Sequence, residues 1–179
     1  MKTLIPLLVL TTILQGFSQK FTTEKSLITF YSDAPLEAIK AQNAKAISII
    51  NLTTGDIVYS IPIQEFEFEK DLMKQHFNEK YMESDKFPKA TFQGKITGYT
   101  IDVKGAQDAT AKGKLTMHGV TKDVELKGTI DLTSGKPVIK SSFKVLIADY
   151  SIKIPQLLWK NIAEEVEVKV EFTYKPDVK

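Results

Sequence analysis

The chain has 179 residues, 24 basic side chains that are all lysine, 22 acidic ones, a net charge of +2 and no cysteine. Without arginine it lacks the planar fork that grips phosphates in pairs, and its lysines are interspersed with carboxylates, so no nucleic-acid partner is expected. The missing thiols exclude a disulfide framework and a cysteine nucleophile, and a lipid anchor on an amino-terminal cysteine is not expected.

Lys2 precedes an apolar run from Leu4 to Leu14, and Gly16-Phe17-Ser18 supplies small residues where a signal peptidase reads. Residues 1–18 therefore read as a cleaved secretory signal, too short for the roughly 20 residues of a membrane span. The expected location is periplasmic or secreted. No later apolar run reaches that length and no repeat or linker divides the rest, so 19–179 is expected to be one domain that does not span a membrane.

Strands dominate that domain. Apolar and polar residues alternate most clearly at the end, where Val166, Val168, Val170, Phe172 and Tyr174 interleave with charged or polar neighbours. The same period of two sets Val124, Leu126, Gly128, Ile130 and Leu132 on one face, and Ala111, Gly113, Leu115 and Met117 on another. Further strands are predicted over 26–31, 45–53, 56–68, 90–99 and 137–148, with turns at Thr54-Gly55-Asp56 and Ser134-Gly135-Lys136. Eight strands in an antiparallel meander favour closure into a barrel, which removes exposed edges. Within 56–68 the apolar parity slips near Pro62, which fits a bulge or bend.

Gly94, Gly113 and Gly128 fall on the inward parity of separate strands. They either leave room inside or let the strands coil sharply, and the two readings are compatible. Between strands, residues 70–83 carry an i, i+4 ladder of Met73, Phe77 and Tyr81 with Leu72 beside it, followed by Pro88, and predict one amphipathic helix across the barrel. His76, Glu79 and Glu83 share its edge, a spacing that an ordinary solvated helix also produces; no metal site is expected. A second apolar segment, Tyr150 to Ile162, contains the only tryptophan. Leu157, Leu158 and Trp159 would form either a plug that closes one end of the core or a lid over an entrance.

Catalytic constellations are weak in the sequence. The histidines are His76 and His118, neither in a nucleophile or metal motif. His118 has Thr116 and Thr121 nearby, but a turn histidine bonded to its own loop is the simpler reading. No catalytic residue and no cofactor are assigned, and the chain reads as a non-enzyme.

The hairpin Leu115-Thr-Met-His-Gly-Val-Thr-Lys-Asp-Val-Glu-Leu126, the segment Asp85-Lys-Phe-Pro-Lys-Ala-Thr-Phe-Gln-Gly-Lys95, the start Ser26-Leu-Ile-Thr-Phe-Tyr31 and the final strand resemble the YceI-like family of periplasmic, lipocalin-type barrels associated with polyisoprenoid binding. The resemblance covers nearly all of 19–179. It implies an elongated lipocalin-like barrel whose apolar interior accommodates an isoprenoid chain such as a polyprenyl phosphate or quinone tail. The stretch from Leu72 to Glu83 is longer than in the simplest members.

The leading expectation is a mainly β, eight-stranded lipocalin-like barrel that binds an isoprenoid or similar amphipathic lipid for sequestration or transport in the periplasm. Strand parity assigns the lining to Phe92, Ile96, Leu115, Met117, Leu126, Ile130, Phe143, Val145, Val170 and Phe172. The competing class is a packed barrel acting through its surface as a protein-interaction module. A homodimer is compatible with either, and an enzyme would need polar groups converging inside the pocket.

Overall fold

The computed structural model describes residues 20–33, 38–154 and 163–177. The expected signal at 1–18 and the expected lid residues Leu157, Leu158 and Trp159 lie outside the described residues. Alternation of apolar and polar side chains produces the strands β1 (Lys20–Asp33), β2 (Ala38–Asn43), β3 (Ile47–Asn51), β4 (Asp56–Pro62), β5 (Glu67–Phe68), β6 (Lys89–Thr97), β7 (Ala106–Met117), β8 (Val120–Asp131), β9 (Val138–Leu146) and β10 (Glu165–Pro176).

Eight of them close an antiparallel barrel, in the order β1-β3-β4-β6-β7-β8-β9-β10, with β10 returning to β1. These correspond to the eight predicted segments. The ring is not uniform, because β1 changes partners along one edge. Lys20–Thr22 pair with β3, whereas Ile28–Asp33 pair with β2, which carries β5. Where β1 leaves β3, the Thr23 hydroxyl donates to the Ser48 carbonyl at 3.0 Å and accepts from the Ser48 amide at 2.6 Å, so a side chain replaces the lost ladder bonds. The barrel thereby splays at one end, and β2, a strand the sequence reading did not anticipate, fills the gap.

The predicted strand 56–68 divides near Pro62: β4 ends there, Ile63–Glu65 form a 3₁₀ turn, and β5 follows. Asn43, fully buried, donates to the Pro62 carbonyl at 2.7 Å and fixes that bend. Among the described residues the single helix of more than one turn, α1, has 11 residues, α-helical over Asp71–His76 and π-helical over Phe77–Tyr81. It is shorter than the predicted 70–83. Leu72, placed beside the buried ladder in the sequence reading, is 62% exposed, because the side of the helix that carries Met73, His76, Phe77 and Tyr81 turns toward the barrel.

The inward glycines serve backbone approach more than space. Gly94 and Gly113 face each other across β6 and β7. A Cβ on Gly94 would collide with the Lys112 carbonyl oxygen, one on Gly113 with the Gln93 carbonyl oxygen, and one on Gly128 with the Lys140 carbonyl oxygen. These glycines let the strands coil tightly around the barrel. Gly128 also borders an interior cavity, whereas Gly94 and Gly113 border none of those described below. At the end remote from α1 the core is filled by Ile50, Ile130, Phe92, Phe172 and Tyr174, each almost fully buried.

Candidate functional site: a two-chambered apolar interior

Between that packed end and the helix the barrel keeps a partly open chamber of about 200 Å³. A smaller chamber of about 40 Å³ lies deeper. Tyr59 from β4, Phe143 from β9 and Val170 from β10 line both and form the partition between them. Period-two geometry places them there: each is the inward residue of its strand at the same level of the barrel.

All ten residues assigned by parity face this interior. Leu115, Met117 and Val145 line the outer chamber; Phe92, Ile96, Leu126, Ile130 and Phe172 line the inner one; Phe143 and Val170 border both. The outer chamber has a second wall that strand parity did not supply. Phe30, Phe66, Phe68 and Phe77 form an aromatic cluster, with centroid separations from 5.0 Å (Phe68–Phe77) to 5.8 Å (Phe30–Phe68). Phe30 and Phe77 stack at 5.4 Å and 21°. Ile39 of β2, Met82 after the helix, and Ile147 and Ile152 complete the surface. The parity slip at Phe66 and Phe68 was the sequence signal for this wall.

Polar groups are few. Only Ser32, Tyr59, His76 and Tyr81 interrupt the apolar lining of the outer chamber, and it includes neither a carboxylate nor an ammonium group. The Ser32 hydroxyl accepts from the Ala163 amide at 2.9 Å. Lys140 borders the inner chamber, but its ammonium group lies on the surface, paired with Glu171 at 3.2 Å. A charged head group would find no counter-charge inside and would lose several kcal/mol of hydration (~2–7 even for an uncharged, unpaired polar group).

Burial pushes the Tyr59 phenol above the usual tyrosine range, with the neighbouring Tyr150 and Tyr174 phenols adding to the effect. Burial does the same to Tyr174, opposed by its hydrogen bond to Ser48. Both are neutral phenols at any physiological pH.

At the barrel end nearest the helix, the β7–β8 hairpin turns through His118 and Gly119, both with positive φ (50° and 75°). His118 bonds through Nδ1 to the Tyr150 carbonyl at 3.0 Å and through Nε2 to Glu83 at 3.2 Å, and its ring lies 4.6 Å from Phe87. A Cβ on Gly119 would press on Phe87 at 2.7 Å, so the turn sits tightly on the segment after the helix. The expected turn histidine is there, but its ring bonds Tyr150 and Glu83 on neighbouring segments instead of its own loop. Lys86 hydrogen-bonds Glu83 and, together with His118, holds its carboxyl below the usual range. His76, Glu79 and Glu83 go to separate tasks: His76 lines the outer chamber, Glu79 accepts from Gln75 at 3.0 Å, and Glu83 pairs with Lys86 and His118. Among the described residues no three imidazole or carboxylate groups converge in a metal-binding geometry. No described helix is long and apolar enough to cross a membrane.

Several solved structures share the fold. A polyisoprenoid-binding domain from Saccharophagus degradans, implicated in plant cell wall breakdown, superposes with a TM-score of 0.76 at 15% identity, over 87% of this chain and 98% of its own. Burkholderia cenocepacia BcnA gives 0.69 at 15% identity over 83% and 95%. The YceI protein of Campylobacter jejuni gives 0.55 at 18% over 75% and 81%. Among curated proteins none matches the chain. The family model for the YceI-like domain matches residues 17–174, almost the whole of the described barrel, and the chain therefore belongs to the YceI-like family.

Proposed function

We propose that this protein is a non-enzymatic carrier that holds the chain of an isoprenoid or similar amphipathic lipid inside the barrel, for sequestration or transport outside the cytoplasm. The observation that carries the reading is the partly open outer chamber of about 200 Å³, walled almost entirely by hydrocarbon. Each CH₂ moved from water into such surroundings contributes about 0.8 kcal/mol, which is the driving force a lipid carrier needs. The fold shared with a polyisoprenoid-binding domain supports the same ligand class. The signal-like residues 1–18 support a periplasmic or secreted setting, and a polyprenyl or quinone chain is the ligand type this reading favours.

The test is calorimetric titration of the purified mature chain with farnesol, alongside Ala90→Leu, which adds a branched side chain to the outer chamber wall from a buried alanine. Farnesol binds the parent, and Ala90→Leu weakens it while Val58→Leu, on the outer face of the same sheet, does not. Failure of the parent to bind, or equal binding by a folded Ala90→Leu, contradicts the proposal.

A packed interaction module is the second reading. Ile47, Ile49 and Val58, exposed by 65%, 47% and 42%, form its outward apolar patch on β3 and β4. Under that reading Ile49→Lys removes a protein partner and leaves farnesol irrelevant.

A further inference from the structure

Three segments meet at the barrel end nearest the helix: the stretch after α1, the β7–β8 hairpin and the turn that follows β9. Each brings wall to the outer chamber, Met82 from the first, Met117 from the second, Ile147 and Ile152 from the third. Each also carries a non-glycine residue in the left-handed region, directly beside one of those wall residues: Glu83 at φ 42°, His118 at 50° and Ser151 at 56°. Among the described residues no other non-glycine residue has a positive φ. Such a backbone is unfavourable for a residue with a side chain and persists only where its surroundings impose it, so three together mark a junction held under constraint.

One imidazole ties the three segments together. His118, its side chain 8% exposed, meets the Tyr150 carbonyl through Nδ1 at 3.0 Å and the Glu83 carboxylate through Nε2 at 3.2 Å. Both partners are acceptors. A carbonyl has no proton to give, and Lys86, with His118, holds the Glu83 carboxyl below its usual range, so it is ionised at neutral pH. A neutral imidazole donates from one nitrogen and turns a lone pair outward at the other; only the imidazolium makes both bonds. When the proton leaves, the remaining N–H stays with the charged acceptor, the stronger of the two bonds, and the Tyr150 carbonyl is the partner that is lost.

We infer that His118 is a proton-operated latch on the outer chamber: protonated, it ties the turn after β9 to the hairpin and to the stretch after the helix and keeps the chamber closed around its guest; neutral, it frees the part of that turn that carries Ile152 and lets the guest exchange. What passes the latch rests on the lipid-carrier reading. The other charged groups at the junction are engaged elsewhere: Lys86 with Glu83, Asp85 with Gln64 at 3.1 Å, and Lys122 of β8 with Asp149 of the turn at 3.4 Å. Burial keeps the Tyr150 phenol neutral. Carboxylates and ammonium groups ordinarily titrate outside the range of about pH 5 to 8.5 in which an imidazole does. Once the Tyr150 bond is gone, the Lys122–Asp149 pair still spans the turn, but it is exposed and such pairs hold little. The chain's other histidine, His76, lines the same chamber and is the competing imidazole.

The test follows three quantities in the parent from about pH 5 to 8.5: the His118 ring nitrogens by NMR, resolved from those of His76; the hydrogen-exchange protection factors of the Ser151 and Ile152 amides; and the release of bound farnesol to phosphatidylcholine vesicles. The two amides bond the Ala148 and Ile147 carbonyls at 3.0 and 3.3 Å and report the turn's integrity. Both ring nitrogens are expected to carry protons at the acid end and one at the alkaline end, with protection falling through the same transition. Farnesol release quickens about 5- to 10-fold across it, the share of one hydrogen bond. His118→Asn, which tolerates a left-handed backbone but is too short to span both partners, gives fast release at every pH although His76 is intact. A ring that keeps one protonation state throughout, amides indifferent to its titration, or release independent of pH overturns the inference while the carrier reading stands, and none of these readings depends on the variant folding. A folded His118→Asn that keeps the pH dependence assigns it to His76 and overturns the inference as well. If farnesol does not bind the parent, the carrier reading falls and the latch with it.

Discussion

Phe143→Ala tests whether the partition limits how much chain the barrel swallows. An apolar cavity of about 150 Å³ accommodates benzene, so each carbon needs roughly 25 Å³. On that scale the outer chamber of about 200 Å³ takes roughly eight carbons before the chain meets Tyr59, Phe143 and Val170. Removing the Phe143 ring frees about another 150 Å³ on the same scale, and opens the way to the inner 40 Å³. The accessible length therefore roughly doubles. In a titration series of primary alcohols of increasing length, parent affinity should rise about fourfold per methylene, from about 0.8 kcal/mol each, and then level off near eight buried carbons. In Phe143→Ala the break should move to about twice that length. Phe143 is only half-buried and already borders a cavity, so its loss should cost at or below the low end of the ~3–5 kcal/mol seen for buried Phe→Ala. Urea unfolding checks that both proteins are native during the titrations. A break at the same length in both folded proteins would refute the partition, and no dependence on length in the parent would refute chain burial itself.

Three further outcomes follow from the geometry. Gly128→Ala should destabilise the barrel by about 1–3 kcal/mol in urea unfolding, because the new Cβ meets a backbone carbonyl and β8 must move from β9; Lys112→Ala, which breaks only an exposed ion pair with Glu125, should stay within about 1 kcal/mol, and equal effects would remove the close-approach argument. Glu83 has a folded pKa below its ordinary 4.5, so its contribution to stability is present above pH 4.5 and lost as pH falls through the lower folded value; the melting temperature of Glu83→Gln should sit below the parent's at neutral pH and converge with it on acidification, and a gap that persists in acid would contradict the pairing with Lys86 and His118. Tyr59 and Tyr174, both pushed upward chiefly by burial, should stay protonated in an ultraviolet alkaline titration beyond the ordinary tyrosine value of 10 and titrate only as the barrel unfolds; ionisation of both in the native protein at that value would deny their burial.

Inward and outward residues were legible because a strand's period of two is strict. Once Val170 and Phe172 are assigned inward, nothing in β10 can reverse them without exposing Tyr174. The hairpin at His118-Gly119 was legible for the same local reason. β2 escaped because only Ile39 among its inward positions is large and apolar; Ala41 and Asn43, small and polar, blur the alternation although they are buried to 2% and 0% exposure. The helix stripe was readable, but Leu72 beside it was misassigned, since which edge of a short helix meets the barrel depends on the wall formed by Phe30, Phe66 and Phe68. Gly94 and Gly113 looked like missing side chains, and only the paired register revealed that neighbouring carbonyls occupy the space. The division into two chambers depends on side-chain bulk from three distant strands at one level.

The carrier claim is tested most directly by native mass spectrometry of the protein purified from its own source, followed by organic extraction. The account predicts a stoichiometric adduct of lipid mass that disappears on extraction and is recovered in the organic phase as an oxygen-bearing isoprenoid or comparable amphiphile. A spectrum of the bare polypeptide alone, from a protein that also fails to take up farnesol, would contradict it.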